Sequence, residues 1–109
     1  MPIETLNDLL NLYRDKFEPE KAAGIDAVVQ LDITGEGGGK HVLTIRDQTL
    51  TIEEGTHDDP AVTLRSSLDD FMKLNLGEAN PMSLIMTGKV KLSGSMPLAM
   101  KFQKLFFGS

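Results

Sequence analysis

The polar residues that could do chemistry in this chain fall into a few short groups. A glycine-rich run at positions 35–39, followed by Lys40, invites comparison with a phosphate-binding loop. That motif also requires glycine at position 34 and serine or threonine at position 41, but the chain has Thr34 and His41. Because strand-like patterns flank the run on both sides, it predicts a hairpin connection and not a phosphate site.

The other candidate groups also favour structural roles. Positions 57–59 read His-Asp-Asp, but three consecutive residues rarely converge on one metal ion, so this run predicts a solvated loop. His41 begins a predicted strand and favours a surface or hairpin histidine over a general base. Ser95 lacks the G-x-S-x-G context of a hydrolase nucleophile and predicts a helix N-cap. The sequence therefore predicts a protein that is not an enzyme and needs no metal or cofactor.

The methionines are the residues with the strongest functional signal. Five of the six lie in the second half of the chain, namely Met72, Met82, Met86, Met96 and Met100. Methionine repacks around irregular shapes and is over-used on surfaces that accept varied apolar partners. Ordinary core filling is the alternative explanation for each of them. We expect the region from Met82 to Phe107 to line a cavity for a hydrophobic ligand.

Length and composition limit the classes of function. A chain of 109 residues with 40% hydrophobic and 25% charged residues predicts a single soluble globular domain spanning residues 1–109. Its net charge of -5 disfavours a nucleic-acid partner and broad electrostatic adhesion to anionic membranes. The chain has no cysteine, no signal-peptide core and no membrane-spanning run, and we expect a cytoplasmic protein.

The hydrophobic periodicity predicts four helices and five strands. Period-two patterns, apolar on one face and polar on the other, predict antiparallel strands at 26–34, 41–46, 49–53, 61–65 and 89–92. Helical patterns predict helices at 4–17, 67–76, 80–88 and 96–107. Ser67, in a capping box, and Asn80 are the predicted N-caps of the second and third, and Asp47-Gln48 is a predicted short turn between two strands. The last helix is apolar around most of its circumference, which is typical of a helix that covers something besides the protein core.

The order of motifs from position 59 to position 106 is similar to that of a known family. The matching features are an acidic-Pro turn before a strand, Ser67 with Asp70-Phe71, Gly77, Pro81, Gly88-Lys89-x-Lys91 with Gly94, and the closing Leu98-Ala99 and Leu105-Phe106. The chain resembles the sterol carrier protein 2 (SCP-2) sterol-binding domain family. The first helix and the three-strand meander that follows it also match the order of elements in the family.

The resemblance implies an α+β fold, with a five-stranded, mostly antiparallel sheet covered on one face by about four to five helices. It also implies a hydrophobic tunnel that binds sterols, fatty acids, fatty acyl-CoA or phospholipids. Residues carried over from the family, joined with the methionine set, give the expected tunnel wall: Phe71, Met72, Met82, Ile85, Met86, Val90, Leu92, Met96, Met100, Phe102, Leu105 and Phe106. Leu84 stands where many members carry a small residue, so we expect a narrowed tunnel that suits a slim acyl chain.

We therefore expect non-enzymatic binding of a hydrophobic ligand, with transfer as a further step and the C-terminal helix as the gate of the tunnel. The expected partners are a lipid and, transiently, a membrane, with the protein as a monomer or weak dimer. Two alternatives stay open at this point. The apolar last helix could instead dock on a partner chain or a second copy, or the core could be closed with no cavity.

Overall fold

The computed structural model describes residues 3–106, apart from the side chains of Gln103, Lys104 and Phe106. The elements in chain order are α1 (Leu6–Lys16), a 3₁₀ turn (Pro19–Ala22), β1 (Ala27–Thr34), β2 (Gly39–Arg46), β3 (Thr49–Glu54), β4 (Val62–Ser67), α2 (Leu68–Asn75), α3 (Pro81–Met86), β5 (Val90–Gly94) and α4 (Met96–Phe106). All the predicted helices and strands are present, and most of their ends differ from the predicted bounds by one or two residues. The predicted last residue of the final helix, Phe107, lies outside the described residues.

The five strands form one sheet in the order β3-β2-β1-β4-β5. The neighbouring pairs β1–β2, β2–β3 and β4–β5 are antiparallel, whereas β1 and β4 are parallel. The prediction of a five-stranded, mostly antiparallel sheet is confirmed. The single parallel pair lies at the centre of the sheet and places β5 at one edge and β3 at the other.

The strand register places apolar side chains in rows on the face of the sheet that the helices cover. Val29 lies opposite Leu43 on one side and Val62 on the other, and Leu31 lies opposite Leu64. Val29, Leu31 and Leu43 are all buried. Because side chains alternate along a strand, the neighbouring polar residues point to the other face. The face that the helices cover therefore carries most of the hydrophobic core.

Capping residues fix where the helices begin. At the start of α1, Thr5 Oγ1 accepts the Asp8 N–H, and Asp8 Oδ2 accepts the N–H groups of Glu4 and Thr5. These two backbone hydrogen bonds hold the pKa of the Asp8 carboxyl below its usual value. At the starts of α2 and α3, Ser67 Oγ accepts the Asp70 N–H and Asn80 Oδ1 accepts the Met82 N–H. The predicted N-caps Ser67 and Asn80 are thus confirmed.

The junction between β5 and α4 requires a glycine. Gly94 has φ +102°, and a Cβ at this position would lie 2.2 Å from the Ala61 carbonyl oxygen. The N–H of Ser95 donates to that same oxygen at 2.8 Å, and Ser95 Oγ accepts the Leu98 N–H at 3.4 Å. The start of α4 is therefore tied to the start of β4.

One buried polar residue lies on the opposite face of the sheet. Gln30 is 7% exposed because the loop after β3 covers it. Its Nε2 donates to the carbonyls of His41 and Gly55, and its Oε1 accepts the His57 N–H at 2.8 Å. Gln30 thus anchors a loop that the sequence pattern predicted to lie free in solvent.

Candidate functional site

The structure divides the predicted tunnel residues into three groups according to their exposure. Phe71, Val90 and Leu105 are buried, and Met72, Leu92 and Phe102 are partly buried. The exposed group comprises Ile85 at 39%, Met96 at 47%, Met100 at 61%, Met82 at 62% and Met86 at 79%. The side chain of Phe106 lies outside the described part of the chain. The twelve residues are therefore not one uniform set, and their assignment to a tunnel stays a prediction.

Two of the predicted residues, the buried Phe71 and the partly buried Phe102, belong to an aromatic cluster where three helices meet. The ring of Tyr13 in α1 makes edge-to-face contacts with Phe71 in α2 and Phe102 in α4, with ring centroids 6.4 Å apart in both pairs. The Tyr13 hydroxyl donates to Asn75 Oδ1 at the end of α2, and Asn75 Nδ2 donates to the Phe71 carbonyl. Burial of the Tyr13 phenol raises its pKa well above the usual value.

The structure adds Tyr13 and Asn75 to this cluster as residues that the prediction did not include. Tyr13 was identified only as one apolar position of the first helix, and Asn75 carried no signal at all. A lone tyrosine on the apolar face of a helix does indicate a need for a buried hydrogen-bond partner. The identity of that partner depends on how α1 packs against α2, which the sequence pattern does not contain.

The covered face of the sheet is less completely buried near β5 than at its centre. Leu64 on β4 lies opposite Leu92 on β5, and both side chains are only partly buried. By contrast, Leu31 and Leu43 on the central strands are 1% and 0% exposed. An apolar floor with incomplete cover therefore lies at the β4–β5 side of the sheet.

Two helices flank this floor. α3 contacts β5, and α4 contacts β4. From α4, Leu98, Ala99 and Phe102 are partly buried against the core, while Met96 and Met100 are exposed. On α3, Leu84 is buried and Met82 and Met86 are exposed. The exposed methionines thus lie on the helices that border this incompletely covered floor.

A surface pocket of about 620 Å³ adjoins the same edge of the sheet. Three of the residues that line it are apolar, namely Ile85, Val90 and Leu92. The others are polar or charged: Asp32, Thr63, Arg65, Lys91 and Ser93. Arg65 and Asp32 form a long ion pair at 3.9 Å within it. The pocket is therefore mixed in character and differs from the wholly apolar tunnel that was predicted.

His41 lies in the β1–β2 hairpin, one of the two places predicted for it. It lies opposite Leu31 and is partly buried, and its Nδ1 is buried without a hydrogen-bond partner. Within residues 3–106, no group of three or more histidine, aspartate or glutamate side chains is placed to hold a metal ion. Over the same range, no helix has the length and apolar character needed to cross a membrane.

A family model described as the SCP-2 sterol transfer family matches residues 6–107. The chain belongs to the SCP-2 sterol transfer family. The resemblance stated from the sequence is thereby confirmed, and the α+β fold of this SCP-2 chain agrees with solved members. Sterol carrier protein 2 of Yarrowia lipolytica, in its apo form, superposes with a TM-score of 0.71 at 19% identity, covering 98% of this chain and 94% of that one.

Two further relatives show the range of settings in which similar chains occur. Palmitated SCP2L2 of Aedes aegypti superposes with a TM-score of 0.63 at 22% identity, covering 90% of this chain and 94% of that one. Hydroxysteroid dehydrogenase-like protein 2 of Bos taurus is 32% identical over 101 residues, which are 92% of this chain and 24% of that protein. This SCP-2 chain thus spans about a quarter of that longer relative.

Proposed function

We propose that this SCP-2 chain binds a lipid with a slim acyl chain between the covered face of the sheet and the helices α3 and α4. The observation that carries the proposal is the incompletely covered floor at Leu64 and Leu92, in a fold whose central strands are closed. Family membership supports lipid as the ligand class. The SCP2L2 protein of Aedes aegypti was solved in palmitated form, which supports an acyl chain in particular.

The side chains near the floor support a narrow ligand. Leu84 on α3 is buried, so its isobutyl group occupies interior volume beside β5. Methionine side chains at the border adapt to a flexible chain better than rigid aromatic rings do. These features favour a fatty acid or fatty acyl group over the broad ring system of a sterol.

Burial of an acyl chain supplies enough free energy for binding without a polar anchor. Each buried methylene contributes about 0.8 kcal/mol, so roughly ten methylenes contribute about 8 kcal/mol before ordering costs. Loss of translational and conformational freedom subtracts several kcal/mol from this total. We therefore expect dissociation constants that are micromolar or weaker. Such affinities suit a protein that both takes up and releases its ligand.

The helix α4 is the proposed gate of the tunnel. Phe102 and Leu105 hold one side of this helix to the core, whereas Met96 and Met100 stay exposed on another. Lys101 is exposed on the same helix and can meet a carboxylate or phosphate headgroup at the mouth. Movement of α4 away from β4 would open the floor and would loosen the contact of Phe102 with Tyr13 in α1.

Adjacent residues of β5 provide a matched test of where the ligand lies. Leu92 lies opposite Leu64 on the covered face and also borders the mixed pocket, whereas Ser93 lies on the opposite face and borders the mixed pocket only. In delipidated protein, Leu92→Trp should reduce uptake of a fluorescent fatty acid roughly tenfold or more, because the indole fills the floor, while Ser93→Trp should leave uptake near wild type. The opposite order of effects would move the ligand to the mixed pocket and overturn the tunnel.

The proposed gate has its own variant. Met100→Glu places a charge on α4 where the ligand is expected to enter, and uptake of the fluorescent fatty acid should weaken. Circular dichroism checks that the variant keeps its helices. Unchanged uptake in a folded variant would rule out entry beside α4.

We further propose that residues 1–109 act as one lipid-binding domain, as a monomer or weak dimer, without catalytic activity of their own. Family membership supports this proposal. The cytoplasmic location stays a prediction.

Native mass spectrometry of the purified protein tests the ligand class, since a co-purifying lipid identifies it directly. A stable dimer without any lipid would favour docking between chains instead.

A further inference from the structure

Charge is divided unevenly along the chain, although its net charge is only -5. Residues 1–78 carry sixteen acidic and seven basic side chains, a net charge of -9. Residues 79–109 carry four lysines and no acidic side chain, a net charge of +4. Unlike the chain as a whole, residues 79–109 therefore carry the sign of charge that an anionic membrane attracts.

The exposed apolar side chains lie in this same cationic segment. Among the described residues, the large hydrophobic side chains that are exposed are Leu76, Met82, Ile85, Met86, Met96 and Met100. All but Leu76 follow residue 78. Apolar side chains next to lysines, without intervening acids, are the combination that binds the interface of an anionic bilayer.

The helix α3 presents the most exposed of these residues on one face. Met82, Ile85 and Met86 fall within a narrow arc of the helix because they are spaced three and four residues apart. The buried Leu84 lies on the opposite side and holds α3 to the protein. Leu76 is also exposed, and it caps α2, the helix that contacts α3.

Two lysines follow α3 directly. The N–H of Lys89 donates to the Leu84 carbonyl at 2.9 Å, so the chain stays against α3 as it enters β5. Lys89 lies in the bend before β5 and Lys91 lies within the strand, and both side chains are exposed. Lys91 lies opposite Arg65, whose nearest described acid is Asp32 at 3.9 Å. Glu78 is the acid nearest to α3 in sequence.

We propose that Leu76, Met82, Ile85 and Met86, together with Lys89 and Lys91, form a docking face for the surface of an anionic phospholipid membrane. The apolar side chains enter the headgroup region, and the two ammonium groups pair with lipid phosphates and carboxylates. The inference rests on the proposed function, because a lipid-binding chain of this kind has to meet the membrane that holds its ligand. It adds the surface that makes contact and the lipid charge that it requires.

Vesicle sedimentation tests the docking face. Wild-type protein should bind vesicles of phosphatidylcholine with about one third phosphatidylserine several-fold more strongly than vesicles of phosphatidylcholine alone, and added salt should remove the difference. Lys89→Glu with Lys91→Glu should lower binding to the anionic vesicles roughly tenfold or more. The matched control, Lys16→Glu with Lys40→Glu, makes the same charge change in the acidic part of the chain and should have a much smaller effect.

A methionine pair separates α3 from α4 as the contacting element. Met82→Ser with Met86→Ser should lower vesicle binding more than Met96→Ser with Met100→Ser. The reverse order would place the contact on α4 and overturn the proposal. Equal binding to charged and uncharged vesicles would also overturn it. So would a variant Lys89→Glu with Lys91→Glu that keeps vesicle binding but loses self-association or binding to an acidic protein.

Fatty-acid uptake from solution keeps this proposal distinct from the proposed function. Lys89→Glu with Lys91→Glu should take up a soluble fluorescent fatty acid normally while losing vesicle binding. Wild-type protein that takes up the fatty acid but ignores anionic vesicles would overturn the docking face alone. Wild-type protein that binds these vesicles but takes up no fatty acid would support the docking face and overturn the tunnel.

Discussion

The part of the chain up to Glu78 and the part that follows differ in how completely they bury their apolar side chains. Leu9, Leu31 and Leu43 in the first part are at most 1% exposed. In the second part, Met82 and Met86 are more than half exposed. The first part forms a closed core, and the second leaves apolar side chains exposed. The difference fits the proposed division, in which the first part supplies stability and the second binds lipid and membrane.

The position of each element in the sheet explains this difference. β1 and β2 have a strand on both sides, and α1 and α2 pack over the centre of the covered face. β5 has one neighbour only, and the helix beside it, α3, is six residues long. So short a helix cannot cover the apolar side chains of an edge strand and bury its own as well.

The largest expected effect comes from removing an aromatic ring from the closed region. Phe71→Ala should reduce the free energy of unfolding by about 3–5 kcal/mol, because Phe71 is fully buried and contacts Tyr13. Met86→Ala, at an exposed position on α3, should change it by no more than about 0.5 kcal/mol. Urea denaturation measures both, and similar losses in the two variants would remove the contrast between the regions.

A smaller effect should appear at high pH through Tyr13. Burial raises the pKa of its phenol in the folded state, so the stabilisation is complete below the unfolded-state pKa of about 10. Above that pH only the unfolded chain loses the proton, and stability should fall by about 1.4 kcal/mol per pH unit. Tyr13→Phe should abolish this slope. Tyr13 is the only tyrosine, so tyrosinate absorbance should appear only on unfolding.

The smallest effect tests whether the closed region extends to the first turn of α1. Thr5→Ala removes the acceptor for the Asp8 N–H and should cost about 1 kcal/mol of unfolding free energy. Thr56→Ala, in the exposed loop after β3, is the control and should be nearly neutral. A cost at Thr5 no larger than that of the control would mean that the cap contributes nothing measurable to the closed region.

Local chemistry allowed the elements themselves to be predicted. Thr5, Ser67 and Asn80 begin helices because their side chains accept backbone N–H groups within three residues. The two-residue turn at Asp47 and Gln48, both with positive φ, was also predicted, because it connects two alternating strands. These features depend on neighbours in sequence, so the pattern of residue types is sufficient to identify them.

The pattern of residue types did not predict contacts between residues that are far apart in the sequence. The sequence placed Gln30 on the wet face of the sheet, yet the loop at Gly55 and His57 buries it. It allowed His41 a surface or a hairpin position, and did not show that in the hairpin its Nδ1 atom is buried. It also grouped twelve residues in one tunnel wall, without separating those that the core buries from those that face solvent.

The sequence by itself determined the α+β fold class, the strand faces, the helix caps and the family, because each depends on short-range periodicity or motif order. Only the tertiary structure decided that β1 pairs in parallel with β4 and that β5 lies at an edge. It also decided which methionines are exposed. The physical reason is that burial depends on which elements become neighbours in space, and residues far apart in the chain settle that together.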